Sequence, residues 1–181
     1  MGPMDLRSVL LQLHAALDGA SIEHALIGGL AMAAHGAARA TVDLDFLVDG
    51  ARADDADTLV RALGYEAIHR SEHAANYVSG DPVRGRVDFL FARRSYGHAM
   101  LARAGAHGVL GQTVRVVDIG DLIGLKVQAS SNDPARRRQD LADIERLLGL
   151  DGVDLTRVRE YFQLFDREKE LDALLAREAP Q

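Results

Sequence analysis

The sequence predicts an α/β fold in which a mixed β-sheet is flanked by helices and followed by a C-terminal helical segment. Between residues 23 and 117, short runs of alternating apolar and polar residues are separated by segments with helical periodicity. After residue 118 only helical periodicity remains, and a sheet that packs against helices accounts for this order. The 181 residues, 48% of them hydrophobic, are enough for one substantial core. We therefore expect a core over residues 1–128 with a helical segment, residues 129–181, packed on it as one compact unit.

The boundaries of the elements follow from periodicity and from the positions of glycine and proline. The predicted strands cover residues 23–27, 41–48, 65–69, 86–91 and 113–117. The predicted helices cover residues 5–17, 30–35, 54–63 and 95–104, with three more that begin near residues 118–120, at 134 and near 154. Asp133-Pro134 is a good helix start, because aspartate caps a helix and proline is tolerated at its first position. Residues 71–84 are polar and contain turn-forming residues, which predicts a mobile loop.

Two aspartates one residue apart form the most informative motif. If residues 41–48 are a strand, Asp43 and Asp45 project from the same face, and so do Arg39 and Thr41 when the strand is extended backwards. The opposite, apolar face is then formed by Val42, Leu44, Phe46 and Val48. Carboxylates in this arrangement repel each other unless a cation lies between them, and hard oxygen ligands favour Mg²⁺ or Mn²⁺.

A glycine pair, Gly28-Gly29, lies upstream, between a predicted strand and a short predicted helix. Backbone N–H groups at a glycine turn and a helix N-terminus can bind phosphate oxygens without a side-chain clash. A glycine pair after a strand is more often only a turn, and two aspartates on a strand are often solvated. Their conjunction is much less ordinary, and it indicates a site for a nucleoside triphosphate and its metal.

A third aspartate lies on a later predicted strand. In the run from residue 86 to 91, Arg86 and Asp88 share one face, while the intervening apolar residues share the other. Asp88 could therefore join Asp43 and Asp45 across neighbouring strands. An aspartate that only pairs with Arg86 is the alternative interpretation.

Lys126 stands out because the chain has nineteen arginines and two lysines. An ammonium is a compact charge suited to phosphate, although a snorkelling helix residue is an equally good interpretation. Asp140 and Asp143 lie three residues apart on a later helix, where they are either ordinary acids favoured by the helix dipole or groups that orient Lys126 or a nucleotide. The seven histidines do not indicate a site, and His24, His69 and His73 lack the spacing of a metal cluster.

Together these motifs resemble the nucleotidyltransferase superfamily, which has a polymerase-beta-like fold. The resemblance spans about residues 22–148 and rests on Gly28-Gly29, Arg39-x-Thr41-x-Asp43-x-Asp45, Asp88, Leu122-x-x-Leu125-Lys126 and Arg138-Gln139-Asp140-Leu141-x-Asp143-Ile144. Within the superfamily, the sequence looks most like the AbiEii-type branch, the toxins of type IV toxin–antitoxin systems. Many members have Gly-Ser where this chain has Gly28-Gly29, and a lysine where it has Gln139.

The resemblance implies a metal-dependent enzyme that moves a nucleoside monophosphate from ATP, GTP or CTP to an acceptor hydroxyl and releases pyrophosphate. It implies that Asp43, Asp45 and Asp88 bind Mg²⁺ or Mn²⁺, with Asp88 also near the attacking hydroxyl, and that Lys126 assists catalysis. The residues implied to contact the nucleotide or its phosphates are Gly28, Gly29, Arg39, Thr41, Lys126 and Asp140.

The acceptor is open at this point. By resemblance the first choice is RNA, especially a tRNA 3′ end, with a separately encoded antitoxin as a possible partner. A small hydroxylated molecule such as an aminoglycoside or lincosamide is the second choice, which the net charge of −6 would suit if the molecule is cationic. From a different class, the chain could be a nucleotide-binding or partner-binding module without turnover. The same net charge argues against broad, salt-driven nucleic-acid binding, although arginines near residues 84–94 and at 136–138 could form local basic patches.

The composition indicates a cytoplasmic protein without a membrane partner. There is no cysteine, which excludes disulfides and cysteine-ligated zinc. No apolar run approaches the roughly 20 residues needed to span a bilayer. Residues 1–20 carry charges and an amphipathic stripe rather than the apolar core of a signal peptide.

Overall fold

The computed structural model describes residues 4–178, and within them the chain forms two compact units. The first unit consists of the described residues up to Ala34 together with Ala38–Val117. The second consists of His35–Ala37 together with the described residues from Asp118 onward. All strands lie in the first unit, whereas the second is helical.

The first unit is built on a seven-stranded mixed sheet with the order β3-β4-β5-β2-β1-β7-β6. The strands are β1 (His24–Ile27), β2 (Asp43–Asp49), β3 (Tyr65–Arg70), β4 (Ala74–Ser79), β5 (Arg86–Ala92), β6 (Gly105–Val109) and β7 (Gln112–Val116). The β2–β5 and β1–β7 pairs are parallel and the other four pairs are antiparallel. The predicted fold class, a mixed sheet flanked by helices, is confirmed.

Four helices belong to this unit: α1 (Leu6–Gly19), α2 (Gly28–Ala34), α3 (Ala53–Ala62) and α4 (Ser95–Arg103). Period-two alternation in the central strands buries one face of the sheet, where Phe46 of β2 and Phe89 of β5 meet edge to face with ring centroids 6.0 Å apart. Tyr77 of β4 extends this contact, with its ring centroid 5.4 Å from that of Phe89. The polar residues of β2 and β5 are consequently left on the opposite face.

The second unit contains α5 (Ile119–Asn132), α6 (Arg137–Leu148), α7 (Leu155–Gln163) and α8 (Glu168–Glu178). Helix α5 packs against both α6 and α7. Gly124 allows the close approach of α7, because a Cβ there would lie 2.5 Å from the ring of Tyr161. The Tyr161 hydroxyl donates a hydrogen bond to the fully buried Asp121 at 2.7 Å, which satisfies that carboxylate.

Three local predictions differ from the structure. The predicted loop 71–84 contains β4, an interior strand bonded to both β3 and β5, so the assignment of the whole segment as a mobile loop was wrong. Strand β6 was not predicted. The last predicted helix is in fact two helices, since α7 ends at Gln163 and α8 begins at Glu168.

Among the described residues, none of the helices is long and apolar enough to cross a membrane.

Candidate active site

The structure places the three predicted aspartates on the same face of two neighbouring strands. Because β2 and β5 are parallel and in register, Asp45 lies directly opposite Asp88, and Asp43 lies opposite Arg86. Neighbouring strands are about 4.8 Å apart, so the side chains of such pairs are close neighbours. All three aspartates are half-buried. We call Asp43, Asp45 and Asp88 the acidic face; the alternation that predicted it is confirmed.

The strand alternation fails at one position, Val42, which was expected on the buried face. Val42 is 72% exposed because β2 begins only at Asp43, so the residue lies before the strand. The apolar residues within the strand, Leu44, Phe46 and Val48, are fully buried as expected. The two aspartates that β2 contributes to the acidic face therefore lie in its first three residues.

The backbone of Gly28 lies against the carboxylate of Asp45. Gly28 has a φ of +66°, and a Cβ built on it would lie 2.1 Å from Oδ2 of Asp45. A side chain at position 28 is thus opposed both by the backbone conformation and by the carboxylate. The first residue of the predicted phosphate-binding pair and an aspartate of the acidic face consequently lie together, as the combined motif predicts.

Gly29 makes a similar approach to Thr41. A Cβ on Gly29 would lie 2.6 Å from Cβ of Thr41. Thr41 in turn donates a hydrogen bond from Oγ1 to the backbone oxygen of Asp43 at 3.3 Å. A serine at position 29, as in many members of the resembled superfamily, would require Thr41 to move, which gives a physical reason for the second glycine.

The glycine pair differs from its prediction in one detail. It was expected as a tight exit from the strand, whereas Gly28 and Gly29 are the first two residues of α2. The preceding residue, Ile27, is paired with Asp45 across β1 and β2. The N-terminus of this short helix is thereby fixed beside the acidic face.

Asp88 is held by two donors to the same oxygen. Nδ2 of Asn76 and Nε of Arg86 donate to Oδ1 of Asp88 at 2.8 and 2.9 Å, respectively. Register explains the first contact, because Asn76 of β4 lies directly opposite Asp88. Both donors use Oδ1, and the Asp88 side chain retains 21% of its exposure.

The negative charge of the acidic face also affects the pKa of Arg86. The pKa of Arg86 lies above its usual value, first because of its hydrogen bond to Asp88 and then because of the negative charges of Asp88, Asp43 and Asp45. All three carboxylates therefore favour the charged form of the Arg86 guanidinium. The alternative interpretation, that Asp88 pairs with Arg86, describes a contact that the structure contains. The same Asp88 also lies on one face with Asp43 and Asp45.

Sequence reasoning missed Asn76. It lies in the segment predicted as a loop, yet in the run Ala75-Asn76-Tyr77 one polar residue stands between two apolar residues. That alternation was the available signal for a strand, and a strand next to β5 would have placed an amide beside Asp88. The turn-forming residues that follow in the same segment favour a loop and obscure this signal.

Arg39 contributes a contact of its own. It donates from Nη1 to the backbone oxygen of Ala40 at 2.9 Å. It lies before β2, like Thr41, rather than in an extension of the strand.

Lys126 lies in the second unit, within a buried cluster of charged side chains. Its Nζ lies 2.8 Å from Oδ2 of Asp143 and 3.2 Å from Oδ1 of Asp140. Both carboxylate side chains are only 1% exposed, and that of Lys126 is 10% exposed. We call Lys126, Asp140 and Asp143 the buried triad. These contacts join α5 to α6, and they are the kind of contact expected if Asp140 and Asp143 orient Lys126.

The buried triad is flanked by two more cations. Arg136 lies 4.0 Å from Asp140 and Arg146 lies 3.9 Å from Asp143. Within the described chain, Oδ2 of Asp140 is buried without a hydrogen-bond partner. Lys126 is thus a paired cation in this structure, and a contact from it or from Asp140 to a nucleotide stays a prediction.

The acidic face fits a hard divalent cation. Its three carboxylates lie on one face of adjacent strands, are half-buried, and offer only oxygen donors, the chemistry that Mg²⁺ and Mn²⁺ prefer. Asn76 and Arg86 fix the orientation of Asp88 through a single oxygen. Asp43, Asp45 and Asp88 are therefore the residues of this chain that could hold such an ion.

No protein-family model matches the sequence, and a search of curated proteins finds no significant relative. Solved structures, by contrast, share the fold over nearly the whole chain. The antibiotic-resistance factor ANT(2″)-Ia matches with a TM-score of 0.67 and 15% identity, over 94% of this chain and 95% of that one. An antigenic nucleotidyltransferase-like protein from Paracoccidioides brasiliensis matches with a TM-score of 0.58 and 20% identity, over 97% and 95% of the two chains.

The lincosamide antibiotic adenylyltransferase LnuA, solved with lincomycin bound, is a third such structure. It matches with a TM-score of 0.59 and 12% identity, over 81% of this chain and 98% of that one. The protein therefore has a nucleotidyltransferase-like fold. At these identities the likeness establishes the fold alone.

Proposed function

We propose that this protein is a metal-dependent nucleotidyltransferase, which moves a nucleoside monophosphate from a nucleoside triphosphate to an acceptor hydroxyl and releases pyrophosphate. The observation that carries the proposal is the close approach of the Gly28 backbone to the carboxylate of Asp45, one member of the acidic face. It brings a backbone segment free of side chains next to carboxylates that can hold a metal. A triphosphate and its cation need these two elements side by side.

The residues of the acidic face take distinct roles in this proposal. Asp43 and Asp45 hold Mg²⁺ or Mn²⁺, while Gly28 and Gly29 receive the triphosphate through their backbone. Asp88 lies next to the attacking hydroxyl and accepts its proton, and the donors Asn76 and Arg86 keep its carboxylate oriented. The metal, when bound, supplies the positive charge that neutralises the triphosphate and the departing pyrophosphate.

Arg39, Thr41, Lys126 and Asp140 are further proposed contacts to the nucleotide. Arg39 and Thr41 are supported by their position immediately before β2, next to the aspartates. Lys126 and Asp140 rest on the sequence resemblance alone. The division of the chain into a catalytic core, residues 1–128, and a helical segment, residues 129–181, is likewise retained as a proposal.

For the acceptor, we now place a small hydroxylated, cationic molecule first. The support is the fold likeness to ANT(2″)-Ia over nearly the whole of both chains and to the lincomycin-bound LnuA over 81% of this chain. One structure of ANT(2″)-Ia holds adenylyl-2″-tobramycin. The net charge of −6 would attract a polyamine-like antibiotic. An aminoglycoside satisfies both arguments, because it is polycationic and rich in hydroxyls.

An RNA acceptor, with the toxin-like activity of the AbiEii-type branch and an antitoxin partner, is the second candidate. The arginine clusters are the observation in its favour, but much of their charge is already compensated. Arg86 pairs with Asp88, and Arg137 pairs with Glu170 at 2.8 Å. Exposed cations that already have acidic partners release fewer counterions on binding RNA, which weakens this candidate.

The test is transfer of label from each of the four α-labelled nucleoside triphosphates, with Mg²⁺, to tobramycin, to lincomycin and to total RNA. Asp45→Asn is the inactive control, and Asp55→Asn, an exposed carboxylate on α3, is the matched control that should behave as wild type. Label on tobramycin or lincomycin supports the first candidate, and label on RNA supports the second. Nucleotide binding without transfer to any acceptor would favour a non-catalytic binding module and overturn the proposal.

A further inference from the structure

A second group of metal-ligating side chains lies in the first unit, on α1 and at the start of β1. His14 and Asp18 lie one turn apart on α1, and His24 is the first residue of β1. One ligand atom from each of the three residues lies within 4.8 Å of the other two. They line a cavity of ≈ 290 Å³ whose wall also includes Glu23 and Arg115. None of them belongs to the acidic face.

His24 is oriented as a metal-binding histidine is. It is only 6% exposed, and its Nδ1 lies 2.8 Å from the backbone oxygen of Ile22. A ring N–H that donates to a backbone carbonyl fixes the tautomer and leaves the lone pair on Nε2. Nε2 points at the second histidine, 2.8 Å from Nδ1 of His14. The two imidazoles thus present ring nitrogens to one another.

We propose that His14, Asp18 and His24 bind one divalent transition-metal ion, with Zn²⁺ as the preferred ion and water as its fourth ligand. Two imidazoles and a carboxylate are a common donor set for zinc, and zinc favours tetrahedral coordination. In the structure the ring nitrogens are 2.8 Å apart, a hydrogen-bond distance. Nitrogen ligands of a tetrahedral zinc are about 3.3 Å apart, which follows from Zn–N bonds of about 2.05 Å. The half-buried His14, which lines the cavity, would move by about half an ångström.

The charges around the group are compatible with a bound cation. Arg115 is the neighbouring positive charge, and it is engaged elsewhere: Nη1 binds Glu23 at 2.9 Å and Nη2 donates to the backbone oxygen of Leu101. Asp18 and Glu23 add two carboxylates to the lining of the cavity.

The position of this group sets its role. His24 is the first residue of β1 and Ile27, which pairs with Asp45, is the last. Three residues of strand correspond to about 10 Å, so an ion here lies apart from the acidic face. It would join α1 to β1 and stabilise the folded chain, since an ion that binds only the folded state raises its stability.

The experiment measures binding of Zn²⁺ alone by competition with a chromophoric chelator, and binding of Co²⁺ by its visible absorption. Wild type, His14→Ala and Asp18→Asn are compared, with His98→Ala, an exposed histidine on α4, as the matched control. We expect one tight site in wild type and in His98→Ala, with a tetrahedral Co²⁺ spectrum. His14→Ala and Asp18→Asn should each lose at least about tenfold in affinity. Both substituted side chains are at least partly exposed, and the thermal unfolding of the metal-free variants checks that they fold.

Zinc should also raise the Tm of wild type and of His98→Ala but not that of His14→Ala. Asp45→Asn should keep the zinc site, which separates it from the proposed catalytic metal. Equal affinities of wild type and His14→Ala, or zinc binding that disappears only in Asp45→Asn, would overturn the assignment.

Discussion

The acidic face and the buried triad both contain aspartates, but in opposite environments. Asp88 keeps 21% of its side-chain exposure and is held through one oxygen by Arg86, which is itself 44% exposed. Asp140 and Asp143 are 1% exposed and share the ammonium of Lys126. The first arrangement leaves carboxylates accessible to a ligand, whereas the second compensates charge inside the fold. Burial and pairing, rather than the presence of aspartate, therefore distinguish a candidate site from a structural ion cluster.

The sharpest expected difference is in stability. Lys126→Met leaves two carboxylates buried without their cation, so we expect the free energy of unfolding to fall by about 3–5 kcal/mol. Urea unfolding followed by circular dichroism measures it. The triple variant Lys126→Met/Asp140→Asn/Asp143→Asn removes the uncompensated charges and should recover most of the loss. A single variant as stable as wild type would show that Lys126 is not needed to balance the triad.

The acidic face should show the reverse pattern. Asp45→Asn removes a charged metal ligand, and we expect nucleotidyl transfer to fall by about 100-fold or more, because a bound metal contributes several kcal/mol to such reactions. Its free energy of unfolding should change by less than about 1 kcal/mol, as is usual for a substitution outside the buried core. The measurement pairs initial rates with urea unfolding. A large loss of stability with turnover retained would contradict the assignment of Asp45 to a metal site and indicate a structural role instead.

Gly28→Ala tests whether the glycine serves the acidic face. Alanine at φ +66° is strained by about 1–2 kcal/mol, and its Cβ would also displace Asp45, so transfer should fall at least about tenfold. Gly152→Ala is the matched control, since Gly152 has a φ of +82° and, among the described residues, no neighbour within 4 Å of an added Cβ. Gly152→Ala should lower the free energy of unfolding by the same strain and leave the transfer activity unchanged. Equal activities of the two variants would contradict the role of Gly28.

Asn76→Ala should have the smallest effect. It removes one of the two donors to Oδ1 of Asp88, and a single hydrogen bond contributes about 0.5–1.5 kcal/mol, which corresponds to a loss of at most about tenfold in kcat/KM. Asn76→Asp, which brings a like charge to Asp88, should be worse than alanine. Full activity in both variants would mean that the orientation of Asp88 does not depend on β4.

The acidic face could be predicted from sequence because strand alternation is a local property. It fixes which side chains share a face, and only the pairing of β2 with β5 had to be guessed. The second partner of Asp88, Asn76, is harder to predict, since the sequence of β4 contains polar residues that also favour a loop. Val42 was misplaced because the start of a strand is not encoded as sharply as its alternation.

The charged clusters away from the acidic face depend on tertiary packing. Lys126 and its two aspartates are separated by more than a dozen residues and meet because α5 packs on α6. His14 and His24 likewise meet only because α1 lies against the start of β1. No spacing rule along the sequence predicts such contacts, so the sequence alone does not decide between the two interpretations of Lys126 and does not reveal the histidine group.

The most direct test of the account compares metal binding at the acidic face and at the buried triad. Mn²⁺ binding, with a non-hydrolysable nucleoside triphosphate analogue present, would be followed by electron paramagnetic resonance. Every protein would carry His14→Ala to remove the second proposed site. We expect Asp45→Asn to abolish nucleotide-dependent Mn²⁺ binding and Asp143→Asn to retain it. Retained binding in Asp45→Asn, or loss only in Asp143→Asn, would contradict the claim that the acidic face is the catalytic centre.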